Sequence, residues 1–108
     1  MAKKKKTVLS GELPQQFGPS SRYEVQKGQL VKSISGRDKD HYYLVLGREG
    51  NILYLADGRI RGAHNPKKKN IRHVAKCNRV AADHVARASG RQLRDEEIRA
   101  ALHELLGE

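Results

Sequence analysis

Short apolar runs separated by turn residues fill the segment from Gly28 to Val74 and constrain the fold more than any other feature. Runs rich in Val, Ile, Leu and Tyr are typical of strands, and glycine-containing breaks between them are typical of hairpin turns. The predicted strands cover residues 29–34, 42–46 and 52–55, a fourth strand that begins at Ile60, and a last one at 71–74. Four or five short, closely spaced strands predict a mainly β fold, a small closed barrel in place of a two-sheet sandwich.

Two turn signals join the middle strands. The sequence Arg48-Glu49-Gly50-Asn51 predicts a hairpin between the second and third strands. Asp57-Gly58 favours the positive φ of a tight hairpin turn, so it predicts a direct connection to the fourth strand. Asn65-Pro66 is expected to break that strand just before three consecutive lysines.

The apolar period becomes helical after Val74. Residues 78–88 predict a helix that ends at Ser89-Gly90. Acidic residues 95–97 predict the first turn of a second helix, in which residues 98, 101, 102 and 105 form an apolar stripe and Gly107 ends the helix. The sequence therefore predicts a C-terminal helical hairpin, packed on the barrel or on a partner.

The N-terminal residues 1–26 show neither a helical nor a strand period and are punctuated by glycine, proline and serine. They predict a flexible basic tail, in which Lys3–Lys6 serve either as a solvated segment or as an electrostatic anchor to phosphate. The predicted domain organisation is a tail at 1–26, a barrel at 27–75 and a helical extension at 76–108.

A strong positive charge limits the class of partner. Twenty-two Lys and Arg residues against 12 Asp and Glu give a formal net charge of +10. This excess favours a polyanion, with nucleic acid the first candidate, an anionic membrane a distant second, and a merely solvated basic surface as the alternative. The single cysteine, Cys77, excludes an internal disulfide. The sequence contains no apolar run of about 18 residues, so we expect a cytoplasmic protein without a membrane partner.

The loop at 35–41 is the first candidate site. Gly36 permits a tight bend, and Arg37 and Lys39 alternate with Asp38 and Asp40. A carboxylate beside an arginine can hold the guanidinium for contact with a phosphate or a base, whereas the alternative is a plain hairpin loop with local ion pairs.

A second basic group lies between residues 59 and 73. Arginine suits bidentate contact with phosphate and lysine acts as a mobile point charge, although a lysine run is also common in solvated turns. Tyr42, Tyr43 and Tyr54 are candidates for stacking on bases. Because Tyr42 and Tyr43 are adjacent on a predicted strand, at most one is expected at the surface, and Tyr54 is expected to pack between neighbouring leucines.

Metal and catalytic patterns are weak. His73 and Cys77 have a helical ligand spacing, but a structural zinc site needs four ligands, usually with more than one thiolate. The sequence contains no nucleotide-binding glycine pattern and no nucleophile–base arrangement. We therefore expect a protein that is not an enzyme and that has no cofactor or metal.

The run Gly28-Gln-Leu-Val-Lys-Ser-Ile-Ser-Gly-Arg-Asp-Lys39 resembles the KOW motif, a strand–loop–strand signature of SH3-like barrels. Together with Ala56-Asp-Gly-Arg59 and Pro66-Lys-Lys-Lys-Asn-Ile-Arg-His73, it is similar to small bacterial KOW-domain RNA-binding proteins, which are related to archaeal and eukaryotic large-subunit ribosomal proteins. The resemblance covers residues 28–75, and one departure is Asp40, which stands where the motif commonly has glycine.

The resemblance implies binding of structured RNA, ribosomal RNA of the large subunit, by a cytoplasmic, ribosome-associated protein. We expect the protein to be a monomer when free. Neighbouring ribosomal proteins or a translation factor are further expected partners. The alternative is a protein–protein adaptor barrel for a transcription or translation factor. The expected RNA-binding residues are Lys32, Gly36, Arg37, Lys39, His41, Arg59, Arg61, Lys67, Lys68, Lys69, Arg72 and His73.

Overall fold

Five antiparallel strands and two C-terminal helices make up the computed structural model, which describes residues 24–107. The predicted tail lies outside the described residues up to residue 23. The elements are β1 (Gln29–Ser33), β2 (Tyr42–Glu49), β3 (Ile52–Ala56), β4 (Lys67–Asn70), a 3-10 turn (Ile71–His73), β5 (Val74–Val80), α1 (Ala82–Ala88) and α2 (Asp95–Leu106).

The strands form one sheet of order β4-β3-β2-β1-β5. The first four strands follow one another as a meander, and β5 returns to pair with β1. The mainly β class is confirmed. The predicted barrel closure is not confirmed, because β4 and β5 form the two edges of an open sheet and do not pair with each other within residues 24–107.

The two faces of the sheet bury different residues because successive side chains point to opposite faces. On the first face, Leu30, Leu44 and Ala56 pack against residues of both helices. Ile98 and Ala101 of α2 are fully buried there, and Ala88 of α1 belongs to the same cluster. The helices therefore pack on the sheet. The sequence had left open whether they pack there or on a partner.

The second face carries Val31, Tyr43, Val45, Leu53 and Leu55, all buried. Ile71 is a buried member of the same cluster, and the partly buried side chains of Val25 and Val74 pack against it. Val25 belongs to the segment assigned to the tail, and the neighbouring Glu24 carbonyl accepts a hydrogen bond from Lys76. The last residues before β1 are thus attached to the sheet.

Two predicted strands are wrong. No strand begins at Ile60, which is 83% exposed in a loop between β3 and β4. The fourth strand is instead formed by the lysine run, because Lys67–Asn70 complete the free edge of β3 by backbone pairing. Residues 71–73 form a 3-10 turn in place of a strand, since the Asn70 side chain accepts a hydrogen bond from the Arg72 backbone and turns the chain.

The helical part begins later than predicted. Residues 78–80 belong to β5, which pairs with β1 as far as Val80. The sheet therefore extends beyond residue 75, where the sequence predicts the end of the barrel. The predicted helix ends are confirmed, since Ser89 and Gly107 both adopt left-handed conformations immediately after α1 and α2.

Candidate nucleic-acid interface

The β1–β2 loop (residues 34–41) is folded back on itself by two residues with positive φ. Gly36 has a φ of 85° and Asp40 a φ of 75°. Its backbone is closed by hydrogen bonds from the Asp40 amide to the Ser33 carbonyl (2.8 Å) and from the His41 amide to the Asp38 carbonyl (2.9 Å). Asp40 therefore adopts a left-handed backbone conformation that glycine adopts freely, at a cost that glycine does not have.

Asp38 is the centre of this loop. Its Oδ1 accepts hydrogen bonds from Ser33 Oγ and Lys69 Nζ, both at 2.8 Å, and its Oδ2 accepts one from the Tyr43 hydroxyl at 2.8 Å. Lys67 Nζ lies 3.6 Å from the same Oδ2. The carboxylate thus ties the loop to β1, β2 and β4 and does not form an ion pair with the neighbouring Arg37 in the described part of the chain.

These contacts change the pKa of both partners. Burial by itself raises the pKa of Asp38, but the hydrogen bond from Lys69, followed by those from Tyr43 and Ser33, holds it well below the ordinary value. Burial, with the nearby Asp38 carboxylate, raises the pKa of the Tyr43 phenol well above its usual range. Asp38 is therefore ionised and Tyr43 neutral at physiological pH, which is the arrangement that the hydrogen bonds require.

A second buried carboxylate shapes the Asp57 loop (residues 57–63). Asp57 Oδ1 accepts hydrogen bonds from the backbone amides of Arg59 and Arg61, each at 2.9 Å. His41 Nε2 lies 2.7 Å from Asp57 Oδ2 and so connects this loop to the β1–β2 loop. Burial opposes ionisation of Asp57, but the two amides and His41 lower its pKa.

The 3-10 turn lies beside the β1–β2 loop. The Ile34 amide donates a hydrogen bond to the His73 carbonyl at 2.9 Å, so residues 71–73 lie next to the start of the loop. Arg72 and His73 are both exposed. Three segments that are distant in sequence are thus joined by hydrogen bonds around one loop.

The strand alternation divides the lysine run between two faces. Lys67 and Lys69 extend toward Asp38, and the side chain of Lys69 is only 9% exposed. Lys68 points the other way, and its ammonium lies 5.9 Å from the centre of the Tyr54 ring. Lys32 is 3.5 Å from Asp40 and 5.7 Å from the Tyr42 ring. Tyr43 is the buried member of the tyrosine pair, as the alternation predicts.

The predicted RNA-binding residues therefore fall into groups. Members placed on the three joined segments are Gly36, Arg37, Lys39, His41, Arg59, Arg61, Arg72 and His73. Lys67 and Lys69 underlie the β1–β2 loop as partners of Asp38, and Lys68 lies on the opposite face of β4. Lys32 forms an ion pair with Asp40 at the base of the loop.

Sequence reasoning did not assign the structural roles of Asp38 and Asp57. From the sequence alone, Asp38 is expected to pair with Arg37, and Asp57 to form part of a hairpin turn. The sequence carried one usable signal for Asp38, the alternation along Lys67-Lys68-Lys69, which places two ammonium groups on one face of any strand. No comparable local signal exists for the contact of His41 with Asp57, which are 16 residues apart.

Residues 24–107 contain no group of three or more His, Cys, Asp or Glu side chains arranged to hold a metal ion. Among the same residues, no helix is long and apolar enough to cross a membrane. Comparison with known proteins gives no family model and no curated protein that matches this chain.

Proposed function

We propose that this protein binds structured RNA, ribosomal RNA of the large subunit, as a ribosome-associated protein of the translation apparatus. The observation that carries the proposal is that exposed cations lie on three segments that hydrogen bonds join to one another. Arg37 and Lys39 lie in the β1–β2 loop, Arg59 in the Asp57 loop that His41 joins to it, and Arg72 in the adjoining 3-10 turn.

The chemistry of these cations fits a phosphate backbone. Guanidinium groups can contact phosphate oxygens through two parallel hydrogen bonds, and three of the four exposed cations named above are arginines. The net charge of +10 adds a long-range attraction that steers a polyanion to the protein. Lys67 and Lys69 contribute less to that contact, because the Asp38 carboxylate holds both ammonium groups and offsets one of their two charges.

The rigidity of the surface also favours binding. The Asp38 carboxylate accepts three hydrogen bonds from different strands, which limits the conformations of the β1–β2 loop before any ligand arrives. A loop that is already ordered loses less conformational entropy on binding. The proposal thus assigns Asp38 to positioning and Arg37 and Lys39 to contact.

The strand order supports the SH3-like part of the proposal. Strands β1 to β4 form a meander, and β5 pairs with β1. This is the strand order of a five-stranded barrel that is open between β4 and β5. The 3-10 turn joins those two strands directly, so the two edges meet at that end of the sheet. We propose on this basis, and on the KOW resemblance, that the sheet is a partly open SH3-like barrel.

Sedimentation of ribosomes from a cell lysate tests the proposal. We expect the protein to migrate with large subunits at low salt and to leave them at high salt, because several phosphate contacts must be exchanged for counterions. The variant Arg37→Ala/Lys39→Ala should dissociate at lower salt than the wild type. The matched control Arg87→Gln removes a charge from α1, outside the three joined segments, and should behave as the wild type does.

Migration at the top of the gradient at both salts would contradict ribosome association. Co-migration that persists at high salt, with no effect of Arg37→Ala/Lys39→Ala, would instead favour the adaptor interpretation, since apolar interfaces between proteins respond weakly to salt.

A further inference from the structure

A large apolar side chain projects from the Asp57 loop, between two of its arginines. Ile60 is 83% exposed and stands between Arg59 and Arg61 at the end of the Asp57 loop. The other exposed large apolar side chain of the described residues, Ile34, is only 44% exposed. Scattered exposed apolar residues are common on protein surfaces, so exposure alone does not assign a function.

The loop that presents Ile60 is unusually well fixed. Besides binding the Arg59 and Arg61 amides through its carboxylate, Asp57 donates its own amide to the Arg61 carbonyl at 2.9 Å. The Gly58 amide donates to the same carbonyl at 3.1 Å. Five residues are thereby closed into one hydrogen-bonded ring with Ile60 opposite the buried Asp57.

Helix α2 holds the loop from the other side. The guanidinium of Arg99 donates to the Gly58 carbonyl, and Asp95 Oδ1 accepts the Ala63 amide at 2.7 Å. Gly58 is so close to α2 that an added Cβ would lie 2.6 Å from the Asp95 carbonyl oxygen. The Asp57 carboxylate and helix α2 therefore both hold the loop, and the side chain of Ile60 is exposed to solvent.

The charge around Ile60 indicates which partner it meets. An apolar protein partner would not favour two arginines beside the contact, whereas RNA offers phosphates for the arginines and flat apolar base faces for the isoleucine. Isoleucine is among the side chains that proteins insert between bases, where its branched end occupies the space of an unstacked step. A rigid support suits this role, because insertion requires the side chain to stay projected.

We propose that Ile60 inserts against unstacked bases of the bound RNA, at a bulge or a helix end, while Arg59 and Arg61 contact the flanking phosphates. This inference rests on the proposed RNA-binding function and deepens it by assigning a contact to bases. It also specifies the ligand as RNA with an interrupted helix in preference to a continuous duplex.

The test is a filter-binding titration of purified bacterial large-subunit ribosomal RNA with the full chain over a series of salt concentrations. We expect Ile60→Ser to weaken binding about tenfold at every salt, since burial of an isoleucine side chain is lost. The slope of affinity against salt should stay that of the wild type, because no charge changes. Ile60→Leu, which keeps an apolar side chain of the same size, should retain most of the affinity.

A second measurement locates the contact. A short RNA hairpin with a bulged 2-aminopurine reports stacking by its fluorescence, and the same hairpin with the analogue fully paired is the control. We expect the wild type to change the fluorescence of the bulged hairpin and Ile60→Ser to change it less. Thermal unfolding should be the same for both proteins, because Ile60 is exposed.

The outcomes separate the two proposals. Salt-dependent binding that is equal for wild type and Ile60→Ser would overturn the role of Ile60 and leave RNA binding intact. If Ile60→Ser weakened binding to intact large subunits but not to naked ribosomal RNA, Ile60 would be assigned to a protein neighbour, and the base contact would be overturned. A wild type that does not bind ribosomal RNA would overturn both.

Discussion

The ammonium group of Lys69 lies 2.8 Å from the carboxylate of Asp38, and neither side chain is exposed by more than 14%. Lys69 is 31 residues away in sequence and also donates to the Ser35 carbonyl at 3.0 Å. This pair converts one of the lysines of the basic run into a support for the β1–β2 loop. Lys69 thus stabilises the loop, whereas Arg37 and Lys39 are the cations that the loop exposes to solvent.

Asp38→Asn should destabilise the fold by about 2–4 kcal/mol, because it leaves the largely buried ammonium groups of Lys67 and Lys69 without their counter-charge. Urea unfolding at neutral pH measures this loss. The matched control is Asp40→Asn in the same loop, where the carboxylate is 68% exposed and its ion pair with Lys32 is 3.5 Å long. We expect that control to change stability by less than about 1 kcal/mol, and a similar loss in both variants would contradict the role of Asp38.

The stability contributed by Asp38 should depend on pH in one direction. The pKa of Asp38 is lower in the folded protein than its ordinary value of 3.8, so its contribution is complete above about pH 5 and is lost as the pH falls through the folded pKa. The difference in unfolding free energy between wild type and Asp38→Asn should therefore be constant near neutrality and shrink in acid. A difference that grows as the pH falls would have the wrong sign for this ion pair.

Gly58→Ala should destabilise the protein more than Gly50→Ala. Both glycines have positive φ, 78° and 60°, so both alanines cost about 1–2 kcal/mol in backbone strain. At Gly58 the added Cβ also lies 2.8 Å from Arg99 Cγ and close to the α2 backbone, whereas at Gly50 it meets no atom within 4 Å. Thermal unfolding of the two variants gives the difference directly, and equal melting temperatures would contradict the close packing of the Asp57 loop on α2.

Asp40→Gly should stabilise the protein by about 1 kcal/mol and tighten RNA binding. Glycine removes the cost of a φ of 75°, and the exposed pair with Lys32 that is lost contributes little. Asp40→Asn removes the same negative charge but keeps a side chain, so it should match the glycine variant in RNA affinity and not in stability. Urea unfolding and filter binding compare the three proteins, and a destabilised Asp40→Gly would contradict the strain at this position.

The strands with a clear apolar pattern were predictable from sequence, and the edge strands were not. β2 and β3 have apolar residues at nearly every core position, and glycine marks the Gly50-Asn51 turn between them. The stripe from Ile98 to Leu105 marks α2. Lys67–Asn70 has no apolar residue, so its strand exists only through backbone pairing with β3. β5 alternates too weakly to be distinguished from the start of a helix until β1 is seen beside it.

The candidate site was predictable as a set of cations and not as an arrangement. Charge and the turn at Gly36 were enough to select the two basic groups. Their division into contact residues and supports depends on pairs such as Asp38 with Lys69 and Asp57 with His41, which only the folded chain brings together. Ile60 shows the same limit, because an isoleucine after a turn fits a strand as well as an exposed loop until the pairing of β3 is known.

The salt dependence of ribosomal RNA binding tests the central claim most directly, when it is measured by filter binding for the wild type, Arg37→Ala and Lys69→Gln under conditions in which circular dichroism shows all three folded. We expect the wild-type affinity to fall steeply with salt and Arg37→Ala to have a slope shallower by about 0.7–0.9, the value of one phosphate contact. Lys69→Gln should keep the wild-type slope, because its ammonium faces Asp38. A wild-type affinity that does not change with salt, or a shallower slope for Lys69→Gln and not for Arg37→Ala, would contradict the account.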